Sequence, residues 1–285
     1  MTQKVALIGQ PLRRRHSAVM HNAGFEAFGI DAYFDLIELA AEDLGSFVAA
    51  ARNGPWLGFG VTAPYKRQVM EFLDEVEPDA QAIGAMNNAV RDEDRRLLGF
   101  NTDAPGFALA VRGDLGVSLD GSKVVVAGAG GAAHAVVHAC LSGGASDVMV
   151  INRTLEGGQR LAERFADLGG TTRAAQPGDD AANEALAGAD LLVNATTVGM
   201  VDGGVALPPE ELPTSAAVFD LVYVPEQTEL LRRAQARGLR SCNGASMLIA
   251  QGALAFERWT GVPAEDVTPV MATSIEPLLA NGGRG

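Results

Sequence analysis

The stretch 123–154 constrains the fold of this chain more than any other part of it. It contains an apolar strand, a glycine-rich loop, a helix and a second apolar strand, and the loop carries Gly128, Gly130 and Ala133 with the spacing G-x-G-x-x-G/A. In this pattern the first glycine permits a tight turn, and the second lets the backbone approach a pyrophosphate. The third position keeps the helix close to the strand, and the helix N-terminus attracts the phosphates. The stretch therefore predicts a Rossmann-type dinucleotide-binding domain.

The end of the second strand indicates which dinucleotide binds. NAD sites usually have Asp or Glu here, which accepts a hydrogen bond from the ribose 2′-hydroxyl. This chain instead has Asn152, Arg153 and Thr154. A carboxylate would repel a 2′-phosphate, whereas an arginine and two small polar groups bind one. The sequence favours NADP and leaves NAD open, and the competing interpretation of Arg153 is a solvated surface charge.

Length, charge and cysteine content limit the classes of protein. The chain has 285 residues, enough for a large core and two domains. Its net charge of −13 opposes binding to nucleic acid and to anionic membranes. No apolar run approaches a membrane span, no cleavable signal pattern precedes the first strand, and the two cysteines indicate no disulfide framework. We therefore expect a cytoplasmic protein.

Strands alternate with helices along the chain, which predicts an α/β fold with mainly parallel, helix-covered sheets. Residues 1–103 lack a glycine-rich phosphate loop, so we expect a substrate-binding catalytic domain there, completed by C-terminal helices within 244–281. The dinucleotide-binding domain is predicted over 104–243, and the tail 282–285 is expected to be disordered. For the first domain, the predicted strands are 4–8, 32–38, 57–61, 86–90 and 95–99, with 95–99 pairing back after a turn at 92–94. The predicted helices are 17–28, 41–52, 65–73 and 77–83. For the remainder the predicted elements include strands 171–175, 190–194, 216–222 and 239–242 and helices 104–116, 155–168, 181–187, 226–237, 244–259 and 267–280.

Three polar clusters precede the glycine loop, at 61–66, 84–88 and 99–103. They lie at predicted strand ends or in short loops, where α/β folds place their sites. Oxidation of a secondary alcohol requires a hydride acceptor and a group that takes the hydroxyl proton. Lys66 is the candidate for that proton and Asp103 the candidate that orients it, against the competing interpretations of a surface lysine and a helix N-cap. No metal site is predicted, because the histidine pair at 134 and 138 has no evident third ligand.

The same clusters carry a resemblance to a known family. The matching motifs, in chain order, are Gly-Gln-Pro at 9–11, Val-Thr-x-Pro-Tyr-Lys at 61–66, Gly-Ala-x-Asn at 84–87, Asn-Thr-Asp at 101–103, Gly-Ala-Gly-Gly-Ala at 128–132, Asn-Arg-Thr at 152–154, Asn-Ala-Thr at 194–196 and Met-Leu-x-x-Gln at 247–251. With these motifs the chain resembles the shikimate and quinate dehydrogenase family over nearly its full length.

The resemblance implies a reversible, NADP-dependent reduction of 3-dehydroshikimate to shikimate, or of a closely related cyclic hydroxy acid. It implies that Lys66 and Asp103 form the catalytic pair. The implied substrate contacts are Ser17, Thr62, Asn87, Tyr223 and Gln251, and Arg15 is added as a further candidate because of its charge. The implied cofactor contacts are Gly128, Ala129, Gly130, Gly131, Ala132, Asn152, Arg153, Thr154, Thr196 and Gly244. The expected partner is a small anionic hydroxylated carboxylate, bound by a monomer or a homodimer.

Four positions depart from the family pattern. Arg15 occupies the first position of a usual Ser-x-Ser pair, of which only Ser17 remains, and Ala18 stands where a proline usually follows the second serine. Gly60 replaces the asparagine that usually precedes Val-Thr, and Gly157 replaces an arginine that often follows Asn-Arg-Thr. Arg15 either pairs with the substrate carboxylate or fills the pocket. The departures therefore leave open whether shikimate itself is the substrate.

Three other functions compete with this one. The nearest is an NAD-dependent quinate-type enzyme on the same scaffold. A cofactor-sensing paralogue without turnover is compatible with Arg15 and Gly60, but Lys66 and Asp103 argue against it. A reductase that acts on a tRNA-linked glutamyl thioester shares the glycine loop and Asn-Arg-Thr. It needs an N-terminal nucleophilic cysteine, which residues 1–139 lack.

Overall fold

The computed structural model describes residues 2–12, 14–201 and 203–280. Its strands are β1 Gln3–Gly9, β2 Ala32–Glu38, β3 Gly58–Val61, β4 Glu75–Val76, β5 Asn88–Arg91, β6 Leu97–Phe100, β7 Lys123–Ala127, β8 Asp147–Ile151, β9 Thr171–Ala175, β10 Leu191–Asn194, β11 Ala217–Asp220 and β12 Arg240–Asn243. Its α-helices are α1 His16–Ala27, α2 Leu44–Asn53, α3 Pro78–Ile83, α4 Asp103–Leu115, α5 Gly131–Ser142, α6 Leu155–Arg164, α7 Asp180–Ala187, α8 Glu229–Ala236, α9 Ala245–Thr260 and α10 Ala264–Ala280. The tail 282–285 lies outside the described residues.

Two compact units make up the chain. The first consists of Met1–Asp103 and Ile249–Gly285, as far as these residues are described, and the second is Ala104–Leu248. The boundaries fall at the start of α4 and within α9. The described residues contain no helix with the length and apolar character needed to cross a membrane.

The second unit contains an all-parallel sheet in the order β12-β11-β10-β7-β8-β9. Both β10 and β11 are buried along their whole length, and such continuous apolar strands are typical of parallel sheets covered on both faces. The strand order reverses between β7 and β10, which makes this the switch point where doubly wound sheets bind ligands at the carboxyl ends of their strands. The predicted Rossmann-type sheet is confirmed.

The sheet of the first unit is mixed, in the order β2-β1-β3-β5-β6-β4. Strand β1 pairs in parallel with β2 and β3, and β4 pairs in parallel with β6, but β5 runs antiparallel to both of its neighbours. The antiparallel pairing of β6 with β5 agrees with the prediction, whereas that of β5 with β3 makes the sheet less parallel than expected. A tight turn joins β5 to β6, with Asp92 Oδ1 accepting a 2.7 Å hydrogen bond from Arg96 N, and this turn requires antiparallel strands.

The predicted strands 32–38 and 171–175 coincide with β2 and β9, whereas several predicted helices are wrong in extent. The predicted helix 155–168 ends at Arg164, and the predicted helix 267–280 begins at Ala264. Within the predicted helix 65–73, only Gln68–Phe72 is helical, as a 3-10 helix. The chain leaves it at Leu73 because Asp74 N donates to Leu97 O and starts the pairing of β4 with β6. The predicted helix 226–237 begins only at Glu229, because the Thr228 hydroxyl accepts from Leu231 N and caps α8.

The C-terminal helices return to the first unit, as the fold prediction requires. Gly24 on α1 makes their close approach possible, since a Cβ there would lie 2.9 Å from Phe256 Cε2 and 3.1 Å from Val267 Cγ2. Gly29 follows α1 with φ of 64°, a left-handed conformation that suits glycine at a helix end. This packing places the part of α9 from Ile249 onward, which carries Gln251, in the first unit.

Candidate active site

The glycine loop lies at the carboxyl end of β7, at the switch point of the second unit. Gly128 has φ of 101°, and a Cβ there would lie only 2.8 Å from Thr196 Cγ2, so the turn requires glycine. A Cβ on Gly130 or Gly131 would meet nothing within 4 Å, so the backbone faces open space where α5 begins. Ala133 is fully buried. An open backbone at a helix N-terminus fits a pyrophosphate.

A buried carboxylate supports the neighbouring loops of the second unit. Asp220 ends β11 with no exposed surface, and its Oδ1 accepts from Asn194 Nδ2 at 2.8 Å and from Val222 N at 3.0 Å. Its Oδ2 accepts from Thr228 Oγ1 at 2.6 Å. Burial raises the pKa of this carboxyl, and the three donated hydrogen bonds oppose the rise. Thr196 is tied to the same network, because its hydroxyl donates to Asn194 Oδ1 at 2.7 Å.

Sequence reasoning missed Asp220, Asn194 and Thr228 as supports, although a polar residue at the end of a buried strand is a signal for such a role. Tyr223 lies half-buried three residues beyond Asp220. Gly244 follows β12, and a Cβ there would lie 2.3 Å from Leu221 O, so no side chain fits. The structure therefore brings the Tyr223 loop and the Gly244 turn close together.

Asn152, Arg153 and Thr154 form one exposed loop after β8. The Asn152 amide donates to Thr154 O at 2.8 Å and to Thr154 Oγ1 at 3.0 Å, and Arg153 O accepts from Gln176 Nε2 at 2.9 Å. These bonds hold the loop backbone. The Arg153 side chain is exposed and makes no ion pair with any residue that the structure describes. A fixed loop with an arginine and two polar side chains fits a 2′-phosphate.

In the first unit the two proposed catalytic side chains are in contact. Lys66 Nζ donates to Asp103 Oδ2 at 2.6 Å, and Asp103 Oδ1 accepts from Asn87 Nδ2 at 2.9 Å. Met86 N donates to Lys66 O at 3.0 Å, which holds the loop after β3 against the segment before β5. Asp103 is the first residue of α4, and its carboxylate binds Lys66 and Asn87. Three separate sequence motifs therefore meet at one ion pair.

The network extends to Thr102 and Gln251. Asn87 Oδ1 accepts from Thr102 N at 2.8 Å, and Asn87 Nδ2 donates to Thr102 Oγ1 at 2.9 Å. Gln251 Oε1, on α9, lies 3.3 Å from Asn87 Nδ2 and 3.5 Å from Thr102 Oγ1. Asn88 Nδ2 also donates to Thr102 Oγ1, at 2.9 Å. Sequence reasoning identified neither Thr102 nor Asn88, although both lie inside motifs that it singled out.

Three other substrate candidates lie elsewhere in the first unit. Thr62 is half-buried after β3, with its N donating to Ile8 O at 2.9 Å. Ser17 is half-buried in the first turn of α1, and Arg15 precedes that helix with an exposed side chain. Within the described parts of the chain, no hydrogen bond links Arg15 or Ser17 to the Lys66–Asp103 pair. The structure thus groups Lys66, Asn87, Asp103 and Gln251, but not these two.

A tyrosine fixes the loop that follows β1. The Tyr65 hydroxyl lies 2.7 Å from Leu39 O and 3.1 Å from Gln10 Oε1, and the ring is buried. Because Tyr65 directly precedes Lys66, the loop and the lysine segment are held together. No group of three or more His, Cys, Asp or Glu side chains that could hold a metal ion occurs in residues 2–12, 14–201 and 203–280.

The second unit contains a sheet suited to a dinucleotide, and the first, also α/β, contains a lysine–carboxylate pair. This combination defines a class of protein, the two-domain nicotinamide-dependent oxidoreductases. Comparison with known proteins narrows the class. Residues 7–89 match the family model of the shikimate dehydrogenase substrate binding domain. Residues 111–200 match that of shikimate/quinate 5-dehydrogenase, and residues 244–273 match the shikimate 5′-dehydrogenase C-terminal domain. The chain belongs to the shikimate/quinate dehydrogenase family.

Individual relatives agree with this assignment. The chain is 40% identical over 264 residues to the shikimate dehydrogenase (NADP(+)) of Geobacter metallireducens, covering 92% of each protein. Shikimate 5-dehydrogenase of Thermus thermophilus, solved with NADP(H) and shikimate, is 37% identical with a TM-score of 0.84, covering 95% of this chain and 99% of that one. Quinate dehydrogenase of Corynebacterium glutamicum, solved with NAD, is 30% identical with a TM-score of 0.87, covering 95% and 99%.

Proposed function

We propose that this chain is an NADP-dependent oxidoreductase that reversibly reduces 3-dehydroshikimate to shikimate, or reduces a closely related cyclic 3-oxo acid. The observation that carries the proposal is the 2.6 Å contact of Lys66 Nζ with Asp103 Oδ2, inside a network of amide and hydroxyl groups suited to a polyhydroxylated ring. Family membership and the NADP-dependent relatives support the choice of reaction and cofactor. We assign substrate binding to a domain of residues 1–103 and 244–281, and cofactor binding to a domain of residues 104–243.

Lys66 acts as the acid and base at the reacting oxygen. When bound, NADPH supplies the hydride that reduces the carbonyl carbon. The Lys66 ammonium then donates its proton to the developing alkoxide, and in the reverse direction the lysine takes the proton from the hydroxyl. Asp103 holds Nζ in position through their direct contact. The lysine regains or releases its proton through water.

The substrate contacts follow from the same network. Asn87, Thr62 and Gln251 bind the substrate hydroxyls, and Arg15, Ser17 and Tyr223 bind the end that carries the carboxylate. Asn87 and Asp103 are held rigidly by their mutual hydrogen bond, so they meet the substrate without reorganisation. The substrate is accordingly a small anionic hydroxylated carboxylate. We further propose a cytoplasmic location and a monomeric or homodimeric state.

The cofactor lies along the glycine loop of the second unit. The pyrophosphate contacts the loop from Gly128 to Ala132, and Thr196 and Gly244 contact the nicotinamide half. Asn152, Arg153 and Thr154 bind the 2′-phosphate, whose charge requires a cationic partner. No carboxylate occupies these three positions, which supports NADP over NAD.

A second candidate is oxidation of quinate with NAD. Two observations favour it, namely the similarity to the NAD-bound quinate dehydrogenase and Gly157 beside the Asn152 loop. A Cβ on Gly157 would lie 2.9 Å from Asn152 Nδ2, so a larger side chain at this position would displace the amide. With glycine here, the 2′-phosphate site lacks the arginine that often follows Asn-Arg-Thr in the family.

A spectrophotometric screen separates these candidates. Shikimate, quinate and an amino analogue of shikimate are each tested with NADP and with NAD, and reduced cofactor is measured. We expect the highest kcat/KM for shikimate with NADP. Preferential oxidation of quinate with NAD would select the second candidate, and absence of turnover with every pair would indicate a cofactor-binding paralogue.

A further inference from the structure

Asn88 occupies a position that a glycine on the neighbouring strand leaves open. It is the first residue of β5, is 4% exposed, and lies opposite Gly60 on β3 in the antiparallel register. A Cβ on Gly60 would lie 3.4 Å from Asn88 Oδ1 and 3.3 Å from Leu7 Cδ1. A Cβ at residue 60 would therefore already be in van der Waals contact with the Asn88 amide oxygen. The glycine accommodates this amide, which reaches Thr102.

The hydrogens around Thr102 can be counted. Its Oγ1 accepts from Asn87 Nδ2 and from Asn88 Nδ2, each at 2.9 Å, and a hydroxyl oxygen has two lone pairs. Both lone pairs are therefore used. The proton of the Thr102 hydroxyl is then directed at Gln251 Oε1, at the long distance of 3.5 Å.

Asn87 does not supply that hydrogen bond. Its Nδ2 carries two hydrogens, and these serve the two 2.9 Å acceptors, Thr102 Oγ1 and Asp103 Oδ1. The 3.3 Å approach of Asn87 Nδ2 to Gln251 Oε1 has no hydrogen left. Thr102 is thus the donor in this group that holds the oxygen end of the Gln251 amide.

The hydrogen bonds of Asn87 and Thr102 fix the orientation of the Gln251 amide. If the amide were turned by 180°, its nitrogen would face the Asn87 amide nitrogen and a Thr102 oxygen whose lone pairs are already occupied. Two donors facing each other without an acceptor are unfavourable. The nitrogen end of Gln251 is therefore directed away from the network.

We propose that Asn88 is a positioning residue, which acts through Thr102 to orient Gln251 as a hydrogen-bond donor to a hydroxyl or carbonyl oxygen of the substrate. The proposal rests on the proposed function, because it assigns a substrate contact to Gln251. Without the Asn88 amide, Thr102 Oγ1 regains a free lone pair. The Gln251 amide can then turn to donate to Thr102 and presents an oxygen where the substrate needs a donor.

Steady-state kinetics of Asn88→Ala provide the first test. We expect the KM for shikimate to rise about 2- to 10-fold, the range of one lost hydrogen bond, while the KM for NADP stays within about 2-fold of wild type. Thr102→Val should give the same phenotype and Thr102→Ser should recover most of the loss. In the double variant Asn88→Ala/Thr102→Val, the effects should not add, because both remove the same link.

Asn22→Ala is the matched control. The Asn22 amide bonds Phe34 N at 2.7 Å and Phe34 O at 3.0 Å, so the variant removes a structural amide, from a more exposed position of the first unit. The control should lose stability without a selective change in the KM for shikimate. Additive effects of Asn88→Ala and Thr102→Val, or a KM for shikimate no higher in Asn88→Ala than in the control, would overturn the proposal.

The side-chain amide signal of Gln251 in NMR, assigned with Gln251→Glu, tests the orientation without turnover. We expect it to shift or broaden in Asn88→Ala and to be unchanged in Asn22→Ala. Unchanged Gln251 signals in Asn88→Ala, together with active wild-type enzyme, would refute the positioning role. An inactive wild type whose Gln251 signal still responds to Asn88→Ala would refute the proposed function alone.

Discussion

The candidate site of the second unit is formed mainly by backbone, and that of the first unit by side chains. In the second unit the glycine loop is formed by backbone, with Gly128 in a conformation of positive φ and open space beside Gly130. In the first unit the site consists of side chains that bind one another, from Lys66 through Asp103 and Asn87. A backbone site depends on a short segment with fixed spacing. A side-chain network depends on every segment that contributes to it.

This difference predicts how each site responds to substitution. A substitution in the first unit should change the reaction rate and also the positions of neighbouring side chains, because each side chain there has several hydrogen-bond partners. A change in the cofactor loop should alter the affinity for one ligand and leave the backbone in place. The following experiments test this contrast.

Lys66→Ala should have the largest effect. We expect turnover to fall by about 100-fold or more, the usual cost of a lost acid–base group, with a smaller loss of substrate affinity. Asp103→Asn keeps the shape of the side chain but loses the charge that orients Lys66, so it should also slow turnover. Lys123→Ala, an exposed lysine at the amino end of β7, is the control. Near-normal turnover of Lys66→Ala would remove Lys66 from the mechanism.

Arg153→Ala should weaken the affinity for NADP far more than the affinity for NAD. The lost charge-assisted hydrogen bond corresponds to about 10- to 150-fold in the Kd for NADP, measured by titration calorimetry. Arg160→Ala, an exposed arginine on α6 near Glu156, provides a matched loss of charge and should leave both affinities unchanged. An equal loss of NAD and NADP affinity in Arg153→Ala would show that Arg153 only supports the loop.

Acid should destabilise the first unit through a buried histidine. His21 stacks on Phe34 with ring centroids 4.5 Å apart, and burial lowers its pKa to about 3. Between pH 6.5 and that value the unfolded chain binds a proton that the folded chain does not, so this contribution to stability is complete above pH 6.5 and is lost as the pH falls. From about pH 6.5 to about pH 5, His21 should lower the free energy of unfolding by about 2 kcal/mol.

Denaturant unfolding at both pH values, in wild type and in His21→Phe, measures this contribution. Phenylalanine keeps a stacked ring and binds no proton, so the free energy of unfolding of the variant should fall less between the two pH values, by about the same amount. Equal pH dependence of the two proteins would mean that His21 titrates normally in the folded state.

Arg15→Ser should have the smallest effect. Arg15 is exposed, so a pairing with the substrate carboxylate is screened by water, and we expect the KM for shikimate to rise by about 2- to 10-fold with little change in kcat. If Arg15 instead obstructs the pocket, Arg15→Ser should improve activity on shikimate. Unchanged kinetics on shikimate and quinate would show that Arg15 points into solvent, and that it neither pairs with the carboxylate nor obstructs the pocket.

The sequence by itself determined the Rossmann-type sheet and the class of its ligand. Buried parallel strands are continuous apolar runs, and the loop that binds phosphate has a fixed spacing of glycines, so both are readable from local sequence. Motifs also identified Lys66 and Asp103 as a pair, and the structure places their charged atoms 2.6 Å apart. Their catalytic role stays a prediction that the variants above test.

Only the tertiary structure decided which side chains support these groups. Gln251 reaches Thr102 across 149 positions of sequence, and Asp220 holds Asn194 across 26. The antiparallel direction of β5 places Asn88 opposite Gly60, which a preference for parallel strands did not predict. The physical reason is that a side-chain hydrogen bond needs two groups within about 3 Å in a suitable orientation. Packing between distant segments creates that geometry, and local sequence does not encode it.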